Sequence, residues 1–360
     1  MPPLKQLLIV NKTARSYYSW ETRFIEHLLN RFSSSLRTDV VITSSLSELE
    51  QAVQEHKDIP DILGFGGGDD TASRVLTAVA ESWGRIPDYL ANYAMGNVNS
   101  LADFLNLSDG TIDKLKKKMQ IKSTKAIQLA SRISDTLCYN QKIPTEEVGL
   151  LDINGRKGFN VGFGATPKLI WTYFGKSIRE YRLLEEKLAD SAPEEYPQVL
   201  DKLFGDPRDV NPFYAAATGL RTIASSLIPS PHNYFYQEPI KGEIYIDGKK
   251  VETAGLDGIY ISTYGKLNFG IKGITLTISP GARDEPGKIE VVLCSQSVLG
   301  VVKQIPKLAR AERLKNVEYL QCREFELRTE QPQLGVVEDS FIAGKVFKIR
   351  YDQPLNFISL

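Results

Sequence analysis

The sequence predicts two domains: an α/β nucleotide-binding domain on a parallel sheet (residues 1–124) and a β-rich, sandwich-like domain with helical insertions (125–335). Residues 336–360 form a C-terminal segment. Three observations carry this. Short apolar runs alternate with helical periodicity through the first third of the chain. Two of those runs end in turns of small residues, Gly66-Gly67-Gly68-Asp69-Asp70-Thr71 and Gly96-Asn97-Val98-Asn99. From about Lys125 the texture changes to short strands, with Asn154-Gly155 and Asp247-Gly248 as hairpin turns.

Taken in order, Lys5–Val10 is an apolar run ending at Asn11 and reads as a buried strand. Phe24, Ile25, Leu28, Leu29 and Phe32 recur at helical spacing. Asp39–Thr43 is the next strand, and Ser45 with Glu48 has the spacing of a capping box ahead of Leu46, Leu49 and Val53. Asp61–Phe65 is a third strand, and a helix with Val75, Leu76 and Val79 follows the glycine turn. A fourth strand, Leu90–Met95, meets the second turn, and a helix carries Leu101, Phe104 and Leu105. This rhythm predicts a parallel sheet covered on both faces, with ligands at the carboxyl ends of its strands, where both turns fall.

The second part offers Val148–Ile153 paired with Gly158–Phe163, and Glu243–Ile246 with Lys250–Glu252. Gly258–Thr263, Ile274–Ser279, Lys288–Ser295 and Val317–Leu327 add further strands. Helices are predicted from Ile178 to Leu188, from Asn211-Pro212 toward Leu227, and through Val298–Leu308. The tail, Lys345–Ile358, alternates like a strand.

Composition narrows the chemistry. With 360 residues, 42% of them hydrophobic, the chain is long enough for two cores. Lys plus Arg equals Asp plus Glu, 44 against 44, so no global charge drives it toward nucleic acid or an anionic membrane. Cys138, Cys294 and Cys322 are scattered, and His27, His56 and His232 lack ligand spacing. A disulfide framework, a histidine-centred zinc site and a serine–histidine triad are therefore not expected. No apolar run is long enough to span a bilayer, and no secretory leader is read at Met1-Pro2-Pro3-Leu4-Lys5. The expectation is a soluble, cytoplasmic protein. Lys114, Lys116, Lys117 and Lys118 read as a solvated helix face.

Glycines after a buried strand let the backbone approach phosphate oxygens and take positive φ, and the N–H groups opening the next helix favour an anion there. Asp69 among such glycines points to a cation bridging it to phosphate, hence to Mg²⁺–nucleotide chemistry. Thr71 supplies a hydroxyl donor. The second turn, Gly96–Asn99, makes the pair a pocket rather than one sharp bend.

The run Asp61–Val75 resembles the GGDGT segment of the diacylglycerol kinase catalytic-domain family, which also holds sphingosine kinases and bacterial lipid kinases. Met95–Leu105 is similar to that family's second signature, and Val10-Asn11-Lys12 stands at its first strand's turn. Val41-Ile42-Thr43 matches its strand-two threonine, Phe159–Gly164 the start of its second domain, and Pro280–Glu290 its P-x-A-x-x-D-D-G-x-L-D stretch. The order agrees from end to end, apart from extra length between Lys176 and Pro229. The resemblance implies a kinase that transfers the γ-phosphate of ATP, with Mg²⁺, to a diacylglycerol- or sphingoid-type lipid. It implies a nucleotide site at Asn11, Thr43, Gly66, Gly67, Gly68, Asp69, Asp70, Thr71, Gly96, Asn97 and Asn99, a tail that returns to the first domain, and a site in the cleft between domains. A soluble kinase of this kind meets its lipid by transient contact at a membrane surface.

The pattern is divergent. Asp70 replaces a glycine and adds a carboxylate that metal or lysine must offset; Ser73-Arg74 replaces an asparagine–glutamate pair. Asn97 and Ser100 replace a threonine and an aspartate. Thr166 stands where the family has an aspartate, and Glu285-Pro286-Gly287 keeps one acid of a structural cation site, so the metal expectation is Asp69 and Glu285. The family's catalytic Asp-Gly-Glu aligns with Glu338-Asp339-Ser340, making Glu338, Asp339 and Asp69 the catalytic expectation. These changes leave a second reading open: a catalytically weak regulatory module that binds nucleotide or lipid. The lipid and the oligomeric state are not readable.

Overall fold

Four apolar runs of the first part of the chain become the strands of one parallel sheet. The structure, a computed structural model, describes residues 3–14, 19–30, 36–94, 101, 105, 125–138, 143–204, 231–252, 255–268, 275–296, 300–301 and 303–359. They fall into two compact units, Met1–Val148 with Pro354–Leu360, and Gly149–Gln353.

In the first unit, β1 (Leu4–Asn11), β2 (Leu36–Thr43), β3 (Ile62–Gly67) and β4 (Tyr89–Ala94) run parallel in the order β2–β1–β3–β4. Phe357, near the end of the chain, pairs in parallel beside Leu90 at the β4 edge. Among the described residues four helices accompany the sheet: α1 (Ser19–Asn30), α2 (Leu46–Glu55), α3 (Asp69–Trp83) and α4 (Lys125–Cys138). α1 packs on α4, and α2 on α3. Right-handed crossovers put α1 on one face and α2 and α3 on the other. Strands covered on both sides must be apolar throughout, and Leu7–Val10 and all of β3 are buried. Strand order reverses between β1 and β3, which opens a crevice at their carboxyl ends.

Helix α2 starts as its sequence predicts, with Glu48 N–H donating to Ser45 Oγ at 3.2 Å. The returning bond differs: Glu48 Oε2 accepts from Ser44 N and Oγ at 2.6 and 2.7 Å, which holds the carboxyl below its ordinary range. The division between units falls after Val148 rather than at residue 125. Helix α4 belongs to the first unit because Leu129, Ala130 and Ile133 bury its apolar face.

The second unit is antiparallel. The hairpin of β5 (Thr145–Ile153) and β6 (Arg156–Gly158) turns on Asn154 and Gly155, both at positive φ. β7 (Asn160–Gly164) leads into α5 (Ala165–Tyr173), then α6 (Ile178–Asp190), α7 (Tyr196–Phe204) and α8 (Pro231–Tyr236). The second expected hairpin joins β8 (Gly242–Ile246) to β9 (Lys249–Val251) through Asp247 and Gly248, also at positive φ. There follow β10 (Gly258–Ser262), a small β11 (Lys266–Asn268) and β12 (Thr275–Thr277) pair, β13 (Ile289–Cys294) and α9 (Ile305–Ala309). Then come β14 (Val317–Cys322), β15 (Glu324–Val337) and β16 (Ser340–Ile358).

Gly158–Phe163 does not pair with β5 as a whole. Only β6 does, and β7 lies between β10 and β15 in the order β14–β13–β10–β7–β15. The single strand expected over Val317–Leu327 breaks at Arg323, where Asp247 Oδ1 accepts from the N–H groups of Arg323 and Glu324 at 2.9 and 3.0 Å. β15 shifts register between Arg328 and Gln333, around Pro332; its first half pairs β8 and its second half β7. The bend wraps the strands around one core containing Val161, Phe163, Ile261, Val291, Phe325 and Phe347. A second cluster joins the helices, with Trp171, Tyr181, Leu184 and Phe235 against Leu334 of β15. The helix expected at Asn211-Pro212 and the lysine run at 114–118 lie outside the described residues.

Phe347 packs its ring 4.8 Å from that of Phe163 in the first of these cores. Phe347→Ala is expected to destabilise this unit by about 3–5 kcal/mol, read from urea unfolding.

Candidate functional site

The crevice of the first unit is lined by small and polar residues, because β1, β2 and β3 all end there. Asn11 and Thr43 are register partners at the ends of β1 and β2, and Thr43 O accepts from Lys12 N at 2.9 Å. Asn11 Oδ1 accepts from Thr13 N and Oγ1, at 2.9 and 2.7 Å, which turns its amide toward Thr71; Nδ2 lies 3.4 Å from Thr71 Oγ1. Gly66 and Gly67 end β3, and Gly68 is the N-cap of α3.

The glycines are there for space rather than for positive φ. None of Gly66, Gly67 and Gly68 has positive φ, and Gly68 is extended at φ −91°. A Cβ on Gly67 would fall inside the Thr71 side chain. Gly68 brings no side chain to cap the first-turn N–H groups of α3, whose dipole favours an anion there.

Asp69 is 1% exposed, and its Oδ1 accepts from Leu101 N at 3.3 Å. This bond ties Leu101 to the glycine turn. Asp70 meets a guanidinium: Arg74 Nε, one helical turn on, donates to Asp70 Oδ2 at 2.8 Å. Gly96, Asn97 and Asn99 lie outside the described residues. Sequence reasoning passed over Thr13, whose hydrogen bonds orient Asn11, and Arg74, whose i,i+4 spacing from Asp70 was the available signal.

In the second unit, Glu338 and Asp339 form the two-residue loop between β15 and β16. Glu338 has φ 53°, a left-handed conformation that costs a side-chain-bearing residue about 1–2 kcal/mol. Its carboxylate compensates: Oε1 accepts from the N–H groups of Phe159 and Asn160 at 2.7 and 2.9 Å, and Oε2 from Asn160 Nδ2 at 3.3 Å. Asn160 is buried and fixed in turn by Tyr260 and Tyr264. Burial pushes the Glu338 carboxyl up to about 7, against the pull of those donors and of Arg156. Such a group exchanges its proton near neutrality.

Asp339 is half-buried beside it. Glu285, the other expected metal ligand, pairs with Lys288 Nζ at 2.5 Å and is half-exposed. Among the described residues no three metal-ligating side chains cluster. Asp69 and its neighbour Asp70 open α3 at the glycine turn, a donor set that would suit Mg²⁺, an ion held by one or two carboxylates together with substrate phosphates.

Two outcomes follow. Gly67→Ala is expected to cost about 1–3 kcal/mol by overpacking against Thr71, seen as a lower urea midpoint. The Glu338 carboxyl binds its proton more tightly folded than unfolded, so the second unit loses stability as pH rises from the ordinary carboxylate range through about 7. Urea unfolding at pH 5 and pH 8 should show this slope in the native chain and a flatter one in Glu338→Gln.

No family model matches the sequence, and no curated protein does. Solved structures do. A diacylglycerol kinase from Bacillus anthracis aligns with a TM-score of 0.58 at 13% identity over 99% of this chain and 97% of that one. Two structures of candidate diacylglycerol kinases from the same organism align over the same shares, with TM-scores of 0.61 and 0.60 at 15% and 14% identity. The chain has the fold of these bacterial proteins over nearly its whole length.

Proposed function

We propose that the chain is an ATP-dependent lipid kinase that transfers the γ-phosphoryl group to the hydroxyl of a diacylglycerol- or sphingoid-type lipid. One observation carries the reading: where strand order reverses, the N-terminus of α3 opens behind Gly67 at an N-cap glycine, Gly68, that brings no side chain of its own to cap it. The fold shared with the bacterial structures supports it.

In this reading Gly66, Gly67, Gly68 and the first turn of α3 take the phosphates. Asn11, Thr43 and Thr71 border them, as do Gly96, Asn97 and Asn99. Asp69 would hold Mg²⁺, which when bound neutralises charge on the transferring phosphoryl group. The lipid hydroxyl oxygen bonds to the γ-phosphorus, the bond to the bridging oxygen breaks to release ADP, and Glu338 takes the hydroxyl proton, with Asp339 beside it. No described helix is long and apolar enough to cross a membrane, and the lipid would be met by transient contact of a cytoplasmic protein with a bilayer surface.

A second reading draws on the bonding of Glu338. Both of its oxygens already accept from Phe159 and Asn160, as suits an anchor for a strained loop. On that reading the protein binds nucleotide or lipid as a regulatory module and transfers little phosphate.

Radiolabelled ATP with mixed-lipid vesicles separates the two. The kinase reading expects label in lipid, a fall of about 10²- to 10⁴-fold in Glu338→Gln with nucleotide affinity kept, and loss of transfer in folded Asp69→Ala. Native protein that binds ATP but labels no lipid overturns it in favour of the binding module.

A further inference from the structure

The resemblance over Pro280–Glu290 implies a structural cation held through Glu285, and the second unit does not fit one. Glu285 turns outward to Lys288. The buried acid of this segment is Glu290 on β13, with no solvent exposure. Its Oε2 accepts from Ser279 Oγ at 2.5 Å and Gly281 N at 3.0 Å. Its Oε1 faces Arg313 Nη2 at 3.4 Å, and the same nitrogen lies 3.7 Å from Asp284. The guanidinium stands 5.3 Å over the ring of Tyr319, whose hydroxyl accepts from Leu314 N at 3.0 Å.

The backbone is pressed against this cluster. A Cβ on Gly281 would run into Glu290, Arg313 and Asp284 together, and Gln321 Nε2 donates to Gly281 O at 2.5 Å. A carboxylate without solvent must be paired or neutralised. Of the groups around it, Asp284 is an acid, Ser279 and Gln321 are neutral, and Arg313 supplies the positive charge.

We propose that Arg313 serves as a built-in cation that locks the 279–290 loop onto β13 and β14, in the place of a bound metal ion. The loop then holds without metal. The guanidinium faces the carboxylates of Glu290 and Asp284, and among the described residues Gln321 Oε1 is a buried acceptor with no hydrogen-bond partner. This inference is independent of the kinase reading.

Hydrogen–deuterium exchange of residues 279–290 in the full chain tests it without nucleotide. Native protein should exchange at the same rate in EDTA and in Mg²⁺. Arg313→Gln should exchange about tenfold faster there, with Ile62–Trp83 unchanged. Glu290→Gln/Arg313→Gln, which removes the acid along with its partner, should regain protection. The proposal is overturned if EDTA speeds exchange in native protein and Mg²⁺ reverses it, if Arg313→Gln exchanges like the native chain, or if the double variant is no better protected than the single. Should Arg313→Gln not fold, the comparison passes to Arg313→Lys, which keeps the charge but not the fork: intermediate protection is expected, and native protection overturns the proposal.

Discussion

There is no room for a side chain at Gly67, and the architecture of the first unit follows from that. Thr71 fills the space where a Cβ would be, so β3 passes into α3 within one residue of extended chain at Gly68. The helix therefore begins at the strand end, with its positive pole at the β1–β3 reversal. Asn11, turned by its bonds to Thr13, closes onto the same threonine. Such a site attracts anions, yet the chain places Asp69 and Asp70 in it. The helix dipole and the Leu101 N–H favour the first carboxylate, and Arg74 answers the second. The site is thus polarised without being uniformly positive, a suitable state for an anion that arrives with its own metal.

The second unit solves a different problem, that of tying long strands together at their loops. Three loop residues with positive φ do it in the same way. Asn154 bonds Val346 O and Lys348 N, Asp247 bonds the N–H groups of Arg323 and Glu324, and Glu338 bonds those of Phe159 and Asn160. Asn and Asp take that conformation readily. Glutamate does not, and its longer stem carries a carboxylate into a half-buried pocket where its affinity for a proton rises. Strain and an elevated proton affinity at one residue form the combination that functional sites accumulate.

What was legible in the sequence was local. The Asn154-Gly155 and Asp247-Gly248 hairpins, the alternation of the first unit and the capping serine of α2 each depend on residues within a few positions of one another. Long-range choices were not legible. Nothing in Gly158–Phe163 says that it splits between two partners, and nothing near Arg323 shows that Asp247, 76 residues away, takes its N–H. Helix α4 reads as the start of a second domain until its buried face is seen to belong with the first. The glycine turn was found from its composition; positive φ, one of the two properties read from it, is not used there, and the crowding by Thr71 is visible only once that side chain is in place.

The departures from the lipid-kinase pattern make sense on the same terms. Where that pattern has a glycine, this chain has Asp70 with Arg74 one turn on; where it has acids for a structural cation, this chain keeps Glu285, and the nearby buried Glu290 meets Arg313. In each case a carboxylate meets a guanidinium from the chain itself. The first partner lies one helical turn away and is open to solvent, so it trims local potential at little energetic consequence. The second spans 23 residues to a carboxylate with no exposure, so it bears on whether the loop closes at all. The second pair therefore bears on how the second unit is held, while the backbone geometry of the crevice depends on Gly67 and Thr71.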